Sequence, residues 1–240
     1  MADLKESAVT AKAGAFDPDR EGEAPKGVRL RPKDAATLLL VRRDRGSPEV
    51  LMGRRAQFHA FMPGKYVFPG GRVDPADGAV PAVRELGAAT TAQLAIAARR
   101  RPRAFAIAAI RELWEETGLV LGEPAAVSPA WTDFQCAQAA PALDRYRLIA
   151  RAITPPGRAR RFDARFFLGF AEEALLDARS PRPCAELEDV HWVRLSDAFG
   201  LDLPAVTRFV LAEAQSALGD PHLAPAFLKM AHGASVVSRL

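Results

Sequence analysis

Three glutamates on one face of a single predicted helix constrain this chain more than any other feature of its sequence. Glu112, Glu115 and Glu116 are spaced at i, i+3 and i+4, so a helix brings their side chains together. Carboxylates held this close repel one another, which raises their pKa values or destabilises the helix unless a cation lies between them. Oxygen donors of this kind select Mg²⁺ or Mn²⁺. A solvated acidic face is the simpler alternative, and the flanking residues argue against it.

The residues around the glutamates predict where this helix begins and ends. Pro102 suits the first helical position, because its missing N–H would have no intrahelical partner there. Gly118 is typical of the residue that follows a helix, where a left-handed backbone is common. We therefore expect a helix over residues 104–117. Upstream, Phe68-Pro69-Gly70-Gly71 indicates the end of a short strand followed by a loop.

The remaining pattern mixes strands with helices. Short β-rich runs are bounded by turn residues, and one further segment has helical periodicity. Strands are predicted over residues 35–41, 49–54, 146–153, 165–170 and 190–195, and a second helix over 203–218. Because strands flank and interrupt the helices, we expect a layered α+β domain.

Composition excludes several classes of protein. Of 240 residues, 49% are hydrophobic and 26% are charged, which rules out wholesale disorder and collagen-like sequence. Two distant cysteines give neither a metal knuckle nor a disulfide framework. The sequence has no secretory pattern and no apolar run of membrane-spanning length, so we expect a cytoplasmic protein without a membrane partner. Only six of the 33 basic residues are lysines; arginine suits phosphate recognition, although coding bias is an equally good explanation.

Residues 111–119, RELWEETGL, resemble the second half of the Nudix box, and all its specified positions match. Phe68-Pro69-Gly70-Gly71 resembles the strand end and loop that open this box. The resemblance implies an α/β/α sandwich with a mixed β-sheet, in which the box forms a loop–helix–loop. It also implies an enzyme, a hydrolase that uses Mg²⁺ or Mn²⁺ to cleave a diphosphate bond.

The resemblance assigns roles to five residues. Glu112, Glu115 and Glu116 are similar to the metal-binding glutamates of the box. Arg111 resembles the arginine that orients one of them through a charge-assisted contact. Gly70 resembles the residue whose carbonyl joins the metal shell. Catalysis would rest on Glu115, Glu112 and Arg111.

Two departures from the box are visible. Arg111 follows Gly71 by 40 positions, where the common spacing is 14, so about 26 residues are inserted, at about 76–101. The box also expects a glutamate eight positions before Arg111, and Arg103 stands there, which predicts the loss of an acidic partner. The expected organisation is a flexible N-terminal extension (1–33), a Nudix domain (34–220) and a C-terminal tail (221–240).

A second resemblance concerns the substrate. Arg55-Ala56, Gly64 and the Phe-Pro-Gly-Gly run match the spacing of a motif found in coenzyme A-cleaving Nudix enzymes, although Ala60 replaces its middle arginine. Residues 161–168, RFDARFFL, resemble a segment of the insertion-bearing branch that includes the peroxisomal coenzyme A diphosphatases; a turn leading into a core strand is the simpler interpretation, and both fit. The residues expected to contact substrate phosphates are Arg54, Arg55, Lys65 and Gly71.

The predicted activity is hydrolysis of a nucleoside diphosphate linked to another moiety, with coenzyme A or acyl-coenzyme A as one substrate. ADP-ribose, NADH or another dinucleotide is the alternative. A non-catalytic nucleotide-sensing module is a third hypothesis, and the intact glutamate pair with Arg111 argues against it. The general base stays open between a box glutamate and the later acids Glu172, Glu173 and Glu186.

The expected partner is a small nucleotide. The basic run at residues 99–103 lacks interleaved aromatic residues, so no nucleic acid is expected. A homodimer is left open.

Overall fold

A mixed β-sheet with a helix on each face organises the residues that the computed structural model describes, which are 30–57, 62–231 and 233–240. The strands are β1 (Lys33–Arg42), β2 (Glu49–Arg55), β3 (Tyr66–Val67), β4 (Gly70–Arg72), β5 (Glu123–Pro124), β6 (Ala139–Ala140), β7 (Arg147–Ile153), β8 (Phe162–Phe170), β9 (Leu187–Arg194), β10 (Ala226–Ala231) and β11 (Ala234–Arg239). The helices are α1 (Ala88–Ala95), α2 (Pro102–Thr117), α3 (Thr132–Cys136), α4 (Ala171–Ala174), α5 (Leu195–Ala198) and α6 (Ala205–Gly219), and 3₁₀ turns cover Pro75–Ala79 and Leu143–Arg145.

Within these residues the main sheet runs in the order β11-β10-β7-β8-β1-β2-β3, with β4 also paired to β1 and β9 to β2. The pairs β1–β8 and β7–β10 are parallel, and the other pairs are antiparallel. Strands β5 and β6 form a separate small ladder. The sheet is therefore mixed, as the sequence predicts.

The alternation of side chains along β1 creates the two outer layers. Leu38 and Leu40 pack in the core beneath α2, and Leu39 and Val41 pack on the opposite face with α6. All four are fully buried. Because successive strand residues point to opposite faces, an apolar run such as this one requires cover on both sides. The α/β/α sandwich follows from that requirement.

Most of the predicted elements are confirmed. The first two strands pair as an antiparallel hairpin, with Val41 opposite Val50. Helix α2 begins at Pro102 and ends before Gly118, whose φ of 70° is left-handed. No helix among the described residues has the length and apolar character needed to cross a bilayer.

The insertion contains one short helix and rests on the α2 side of the sheet. Only α1 is helical between the 3₁₀ turn and α2. The Arg151 guanidinium donates to the Ile96 carbonyl at 2.8 Å, which ties the segment after α1 to strand β7. Arg100 lies 3.6 Å from the Asp34 carboxylate on β1. The insertion is thus attached to the sheet by charged side chains.

Those side chains belong to a buried charge network that explains the RFDARFFL segment. Asp163 receives two hydrogen bonds from Arg151, at 2.8 and 2.7 Å. Arg165 is only 1% exposed and lies 3.0 Å from Asp34 and 3.1 Å from Asp163. Its guanidinium also lies 4.1 Å from the centre of the Phe105 ring on α2. The alternating Asp163 and Arg165 point to the α2 face, so this strand both fills the core and holds the insertion.

The C-terminal residues correct the sequence analysis. Residues 221–240 were expected to be a tail, yet β10 and β11 form an antiparallel hairpin. Strand β10 adds to the sheet in parallel with β7, placing Ala226 beside Ala150 and Leu228 beside Ala152. Strand β11 lies at the sheet edge and is mostly exposed. An edge strand of this kind needs no apolar alternation, which is why its pattern is weak.

Candidate active site

The predicted acidic helix face lies beside the loop glycines. Helix α2 carries the three glutamates, and β4 places Gly70 and Gly71 against them, because Gly71 pairs with Ala36 of β1 directly under the helix. A Cβ at Gly71 would overlap the Glu112 carboxylate. The absence of a Cβ at Gly71 lets the carboxylate lie against β4 in this position, which gives this glycine a physical reason.

Arg111 joins the acidic residues of this region. Its Nη1 donates to Glu112 at 2.9 Å and to Glu115 at 3.0 Å. Its Nε and Nη2 bind the two carboxylate oxygens of Asp77 at 2.9 and 3.1 Å, and Nη2 also donates to the Arg72 carbonyl at 2.9 Å. The sequence assigned Arg111 one glutamate. The structure gives it two, together with a buried aspartate.

Asp77 corrects the prediction that an acidic partner is missing. It is 2% exposed, lies in the 3₁₀ turn, and forms a bidentate pair with Arg111. The box spacing of eight positions, counted back from Arg111, leads to Arg103. Counting forward from Gly71 by the same spacing leads six positions on, to Asp77. The insertion therefore follows the acidic position, and an aspartate occupies it.

Arg103 has a different role from the residue expected at its position. Its guanidinium donates to the carbonyls of Gly78 and Val80 at 2.8 and 2.9 Å, and to Glu85 at 2.9 Å. These residues lie directly after Asp77, where the insertion leaves the 3₁₀ turn. The charge reversal at Arg103 thus holds the first residues of the insertion against the start of α2.

Glu116 is more deeply buried than the other two glutamates. It is 5% exposed, and one of its carboxylate oxygens accepts a hydrogen bond from the Gly70 N–H at 2.9 Å. The sequence analysis gave Gly70 a role through its carbonyl, and in this structure the contact with the acidic face is made through its N–H. Glu116 therefore connects α2 to the loop.

Two of the glutamates have pKa values well above the usual value for a glutamate side chain. Burial raises the pKa of Glu112 to about 7, against the opposing attraction of Arg111. Burial also raises the pKa of Glu116 to about 8, although the Gly70 N–H stabilises its charged form. Negative charge from Glu112 adds to the rise at Glu116. Near neutral pH Glu116 therefore mostly keeps its proton and Glu112 is about half protonated, because their surroundings do not compensate two full negative charges.

Glu112 and Glu115 lie at one end of a large cleft on the face of the sheet that α6 covers. The cleft has a volume of about 1060 Å³ and is lined by residues of β1, β4, β7, β8, β10 and α6. Glu112 and Glu115 line it together with Gly70, Gly71 and Arg55, and Glu116 is outside the lining. A ligand in this cleft would meet two box glutamates and the loop glycines at one end.

The residues predicted to bind phosphate fall into two groups. Arg55 and Gly71 line the cleft. Arg54 lies 3.5 Å from Glu188, Lys65 lies 2.7 Å from Asp202, and neither lines the cleft. Arg54 and Arg55 are neighbours on β2, so their side chains point to opposite faces. Ala60 lies outside the described residues.

The three acidic residues that follow the box, Glu172, Glu173 and Glu186, lie in different places in the fold. Glu186 lines the cleft, and its charge acts on Glu112 and Glu116. Glu173 pairs with Arg43 at 3.1 Å, and Glu172 accepts hydrogen bonds from backbone N–H groups of the β1–β2 turn. Of the three later acids considered as a general base, only Glu186 lies at the cleft.

The donor chemistry of this end fits a hard divalent cation. Glu112, Glu115 and Glu116 supply oxygen atoms alone, and the buried pair lacks full compensation of charge. Within the described residues, no three acidic, histidine or cysteine side chains are already arranged as a metal-binding group. Glu112 and Glu115 are turned to Arg111, and Glu116 to Gly70.

Solved structures of Nudix hydrolases are similar to this chain. A Nudix hydrolase from Alicyclobacillus acidocaldarius is 27% identical, with a TM-score of 0.59 over 79% of this chain and 96% of that one. The chain therefore has the fold of Nudix hydrolases. RenU, a Nudix hydrolase from M. smegmatis, is 16% identical, with a TM-score of 0.48 over 82% and 92% of the two chains. The Nudix domain of Shewanella oneidensis NrtR, solved with ADP ribose, is 13% identical, with a TM-score of 0.47 over 79% and 90%. No family model and no curated protein sequence matches the chain.

The glycine-containing segment and α2 stay side by side despite the insertion between them. The Arg111–Asp77 pair joins α2 to the residues just before the insertion, and Arg103 at the start of α2 binds the Gly78 carbonyl at the first inserted residues. The insertion therefore lengthens the chain between the loop and α2 without displacing either from the cleft.

Proposed function

We propose that this Nudix hydrolase cleaves a diphosphate bond in a nucleoside diphosphate linked to another moiety, in a reaction that depends on Mg²⁺ or Mn²⁺. Nudix hydrolases generally use divalent metal ions. The observation that carries the proposal is the end of the cleft, where Glu112, Glu115 and Glu186 meet Gly70 and the cationic Arg55. Carboxylates to hold a cation and an arginine to hold phosphate oxygens lie at one site.

Each residue has a physical role in this proposal. Glu112, Glu115 and Glu116 would hold the metal ion, which lowers the pKa of water and neutralises phosphate charge when bound. Arg111 positions Glu112 and Glu115, since one nitrogen donates to both. Buried Asp77 fixes the guanidinium in turn. Arg55 and the backbone of Gly71 would contact substrate oxygens.

Glu186 is our candidate for the general base. Water attacks one phosphorus, the bond from that phosphorus to the bridging oxygen breaks, and the water proton passes to a base at the cleft. Glu186 is exposed and lines the cleft, and Glu172 and Glu173 lie at the β1–β2 turn, outside the lining. We expect Glu186→Gln to lower kcat with little change in KM and to alter the acidic limb of the pH profile. Glu172→Gln is the matched control and should leave both unchanged.

Coenzyme A or an acyl-coenzyme A is the substrate that the sequence motif favours. Arg55 and Gly71 support this part of the proposal by lining the cleft. A panel of coenzyme A, acyl-coenzyme A, ADP-ribose, NADH and nucleoside triphosphates, each assayed with Mg²⁺ and with Mn²⁺, tests it. Preference for a substrate without coenzyme A by an order of magnitude would replace coenzyme A with that substrate.

Glu115→Gln tests the metal-dependent chemistry itself. Because Glu115 is half exposed, with 46% of its side chain accessible, the substitution should leave the fold intact and abolish turnover. Glu173→Gln, a change of the same kind at a surface ion pair, is the control. Near-normal activity of E115Q would reject the assignment, and binding of nucleotide without any turnover by the unmodified protein would favour a sensing module instead.

A further inference from the structure

The end of the cleft away from the glutamates is basic, and the catalytic proposal does not use it. We propose that this end binds a second anionic group of the substrate, a phosphate or carboxylate carried at a distance from the scissile diphosphate. Lys33 and Arg160 are the residues we assign to it. This inference rests on the proposed function and narrows its substrate class to diphosphates that carry an additional negative charge.

Charge is divided along the cleft. The acidic residues of its lining are Asp74, Glu112, Glu115 and Glu186; the three glutamates lie at the end formed by the box, and Asp74 follows β4 beside the start of β1. The opposite rim is formed by the start of β1 and by the loop between β7 and β8. Its ionisable lining residues in the described chain are cationic, and they are Arg31, Lys33, Arg158, Arg160 and Arg161. These five cations outnumber Asp74, the carboxylate beside the start of β1, so an anion would be attracted to this rim.

The basic residues of this rim have different surroundings. The Arg161 guanidinium donates to the carbonyls of Leu30 and Thr154 at 2.6 and 3.0 Å, so it fixes the loop. Lys33 and Arg160 are exposed, and the ion pairs formed among described residues include neither of them. The Lys33 N–H donates to the Arg161 carbonyl at 2.9 Å, which brings Arg160 beside β1. Two cations are thus held close together on a fixed loop and strand.

Strand register gives the distance between the two ends. Gly71 pairs with Ala36 of β1, and Lys33 pairs with Phe162 of β8. The Phe162 position is three residues along the strands and two strands across the sheet from Gly71. At ~3.3 Å per residue and ~4.8 Å between strands, the separation from Gly71 is about 11 Å to Lys33 and about 14 Å to Phe162. A substrate that fills both ends must therefore extend well beyond its diphosphate.

The cleft stays open between its two ends because its floor has small side chains. Ala35, Ala164 and Ala152 are paired across three adjacent strands, and all three line the cleft. Phe166 lines it on one side of these alanines and Phe162 on the other. The two ends are therefore parts of one cavity.

Matched substrate pairs test the inference with the full-length protein. Coenzyme A against dephospho-coenzyme A, and NADPH against NADH, differ by one ribose phosphate. Succinyl-coenzyme A against butyryl-coenzyme A adds a carboxylate at the other end of the substrate. We expect one type of pair to show a preference in kcat/KM of about tenfold or more for the charged member, as a charge-assisted hydrogen bond provides. The type of pair identifies where the anion is carried.

Charge-reversal variants then locate the effect. Lys33→Glu and Arg160→Glu should reduce that preference ratio to near one. Arg99→Glu is the matched control, because Arg99 is exposed in the insertion and does not line the cleft; its ratio should equal that of the unmodified protein. Measuring the ratio cancels a general loss of folding, which would lower both members of a pair equally.

The results separate this inference from the proposed function. Hydrolysis of both members of every pair at equal efficiency overturns the anion subsite and leaves the diphosphatase intact. A preference that persists in both charge-reversal variants also overturns it. No metal-dependent hydrolysis of any of the six compounds, or of the wider substrate panel, rejects the proposed function itself.

Discussion

Replacing Glu116 with glutamine should stabilise the metal-free protein at alkaline pH, although it removes a proposed metal ligand. Glu116 is buried, and its pKa is raised from 4.5 to about 8 because burial disfavours the charged form. Glutamine keeps an oxygen that accepts the Gly70 hydrogen bond and carries no charge. The substitution therefore removes the cost of burying a carboxylate that only a bound cation compensates.

The size and sign of the effect follow from linkage. The folded pKa lies above the unfolded one, so the folded protein binds the proton more tightly, and stability is lost as pH rises from 4.5 towards 8. One pKa unit corresponds to about 1.4 kcal/mol, so the full shift limits the loss to about 5 kcal/mol. Between pH 6 and pH 8.5 the loss attributable to Glu116 should be about 2 to 3 kcal/mol. The free energy of unfolding of the glutamine variant should lack this pH-dependent loss.

Urea unfolding in the presence of EDTA measures the prediction. The free energy of unfolding of E116Q minus that of the unmodified protein should become more positive between pH 6 and pH 8.5. Added Mn²⁺ should stabilise the unmodified protein more at pH 8.5 than at pH 6, and should stabilise E116Q less at either pH, because a ligand stabilises the state that binds it. A difference that does not change with pH would refute the argument that Glu116 is buried without compensation.

Three further substitutions test the contacts around the site. Asp77→Asn should destabilise the protein by about 3–5 kcal/mol in urea unfolding, because it removes the bidentate carboxylate from Nε and Nη2 of the buried Arg111 and leaves only the Nη1 contacts with Glu112 and Glu115; a loss below about 1 kcal/mol would contradict that pairing. Asp163→Asn should cost a similar amount by the same principle and should increase hydrogen exchange across α1, and unchanged exchange there would show that the network does not hold the insertion. Gly71→Ala should abolish turnover while the fold survives, because its Cβ overlaps a carboxylate of the box. Gly87→Ala, where the added Cβ meets nothing within 4 Å, should leave activity unchanged.

The secondary structure around the site was predictable because its signals are local. The spacing of Glu112, Glu115 and Glu116 fixes their shared face in any helix, and Gly118 ends that helix through its own backbone freedom. The strand runs of β1, β7 and β8 were also visible, since buried strands need apolar residues. Each of these signals depends on residues a few positions apart.

The partners of those elements were less predictable. Asp77 lies 34 positions before Arg111, and the insertion made counting from the helix misleading. The spacing from Gly71 would have found it, because the chain between the loop and the 3₁₀ turn has its common length. The C-terminal hairpin gave no comparable signal, since β11 is exposed at the edge of the sheet.

The sequence by itself determined the acidic helix and the apolar strands of this protein, because helical and strand periodicity convert spacing directly into a shared face. The glycines expected in a loop form strand β4 instead. Tertiary structure decided which charges meet. Arg55 lines the cleft and Arg54 does not, because neighbouring residues of β2 point to opposite faces. Glu186 lines the cleft, whereas Glu172 and Glu173 of α4 lie at the β1–β2 turn. The pair of Arg111 with Asp77 forms because the folded chain brings two residues 34 positions apart into contact, and local periodicity does not specify such a contact.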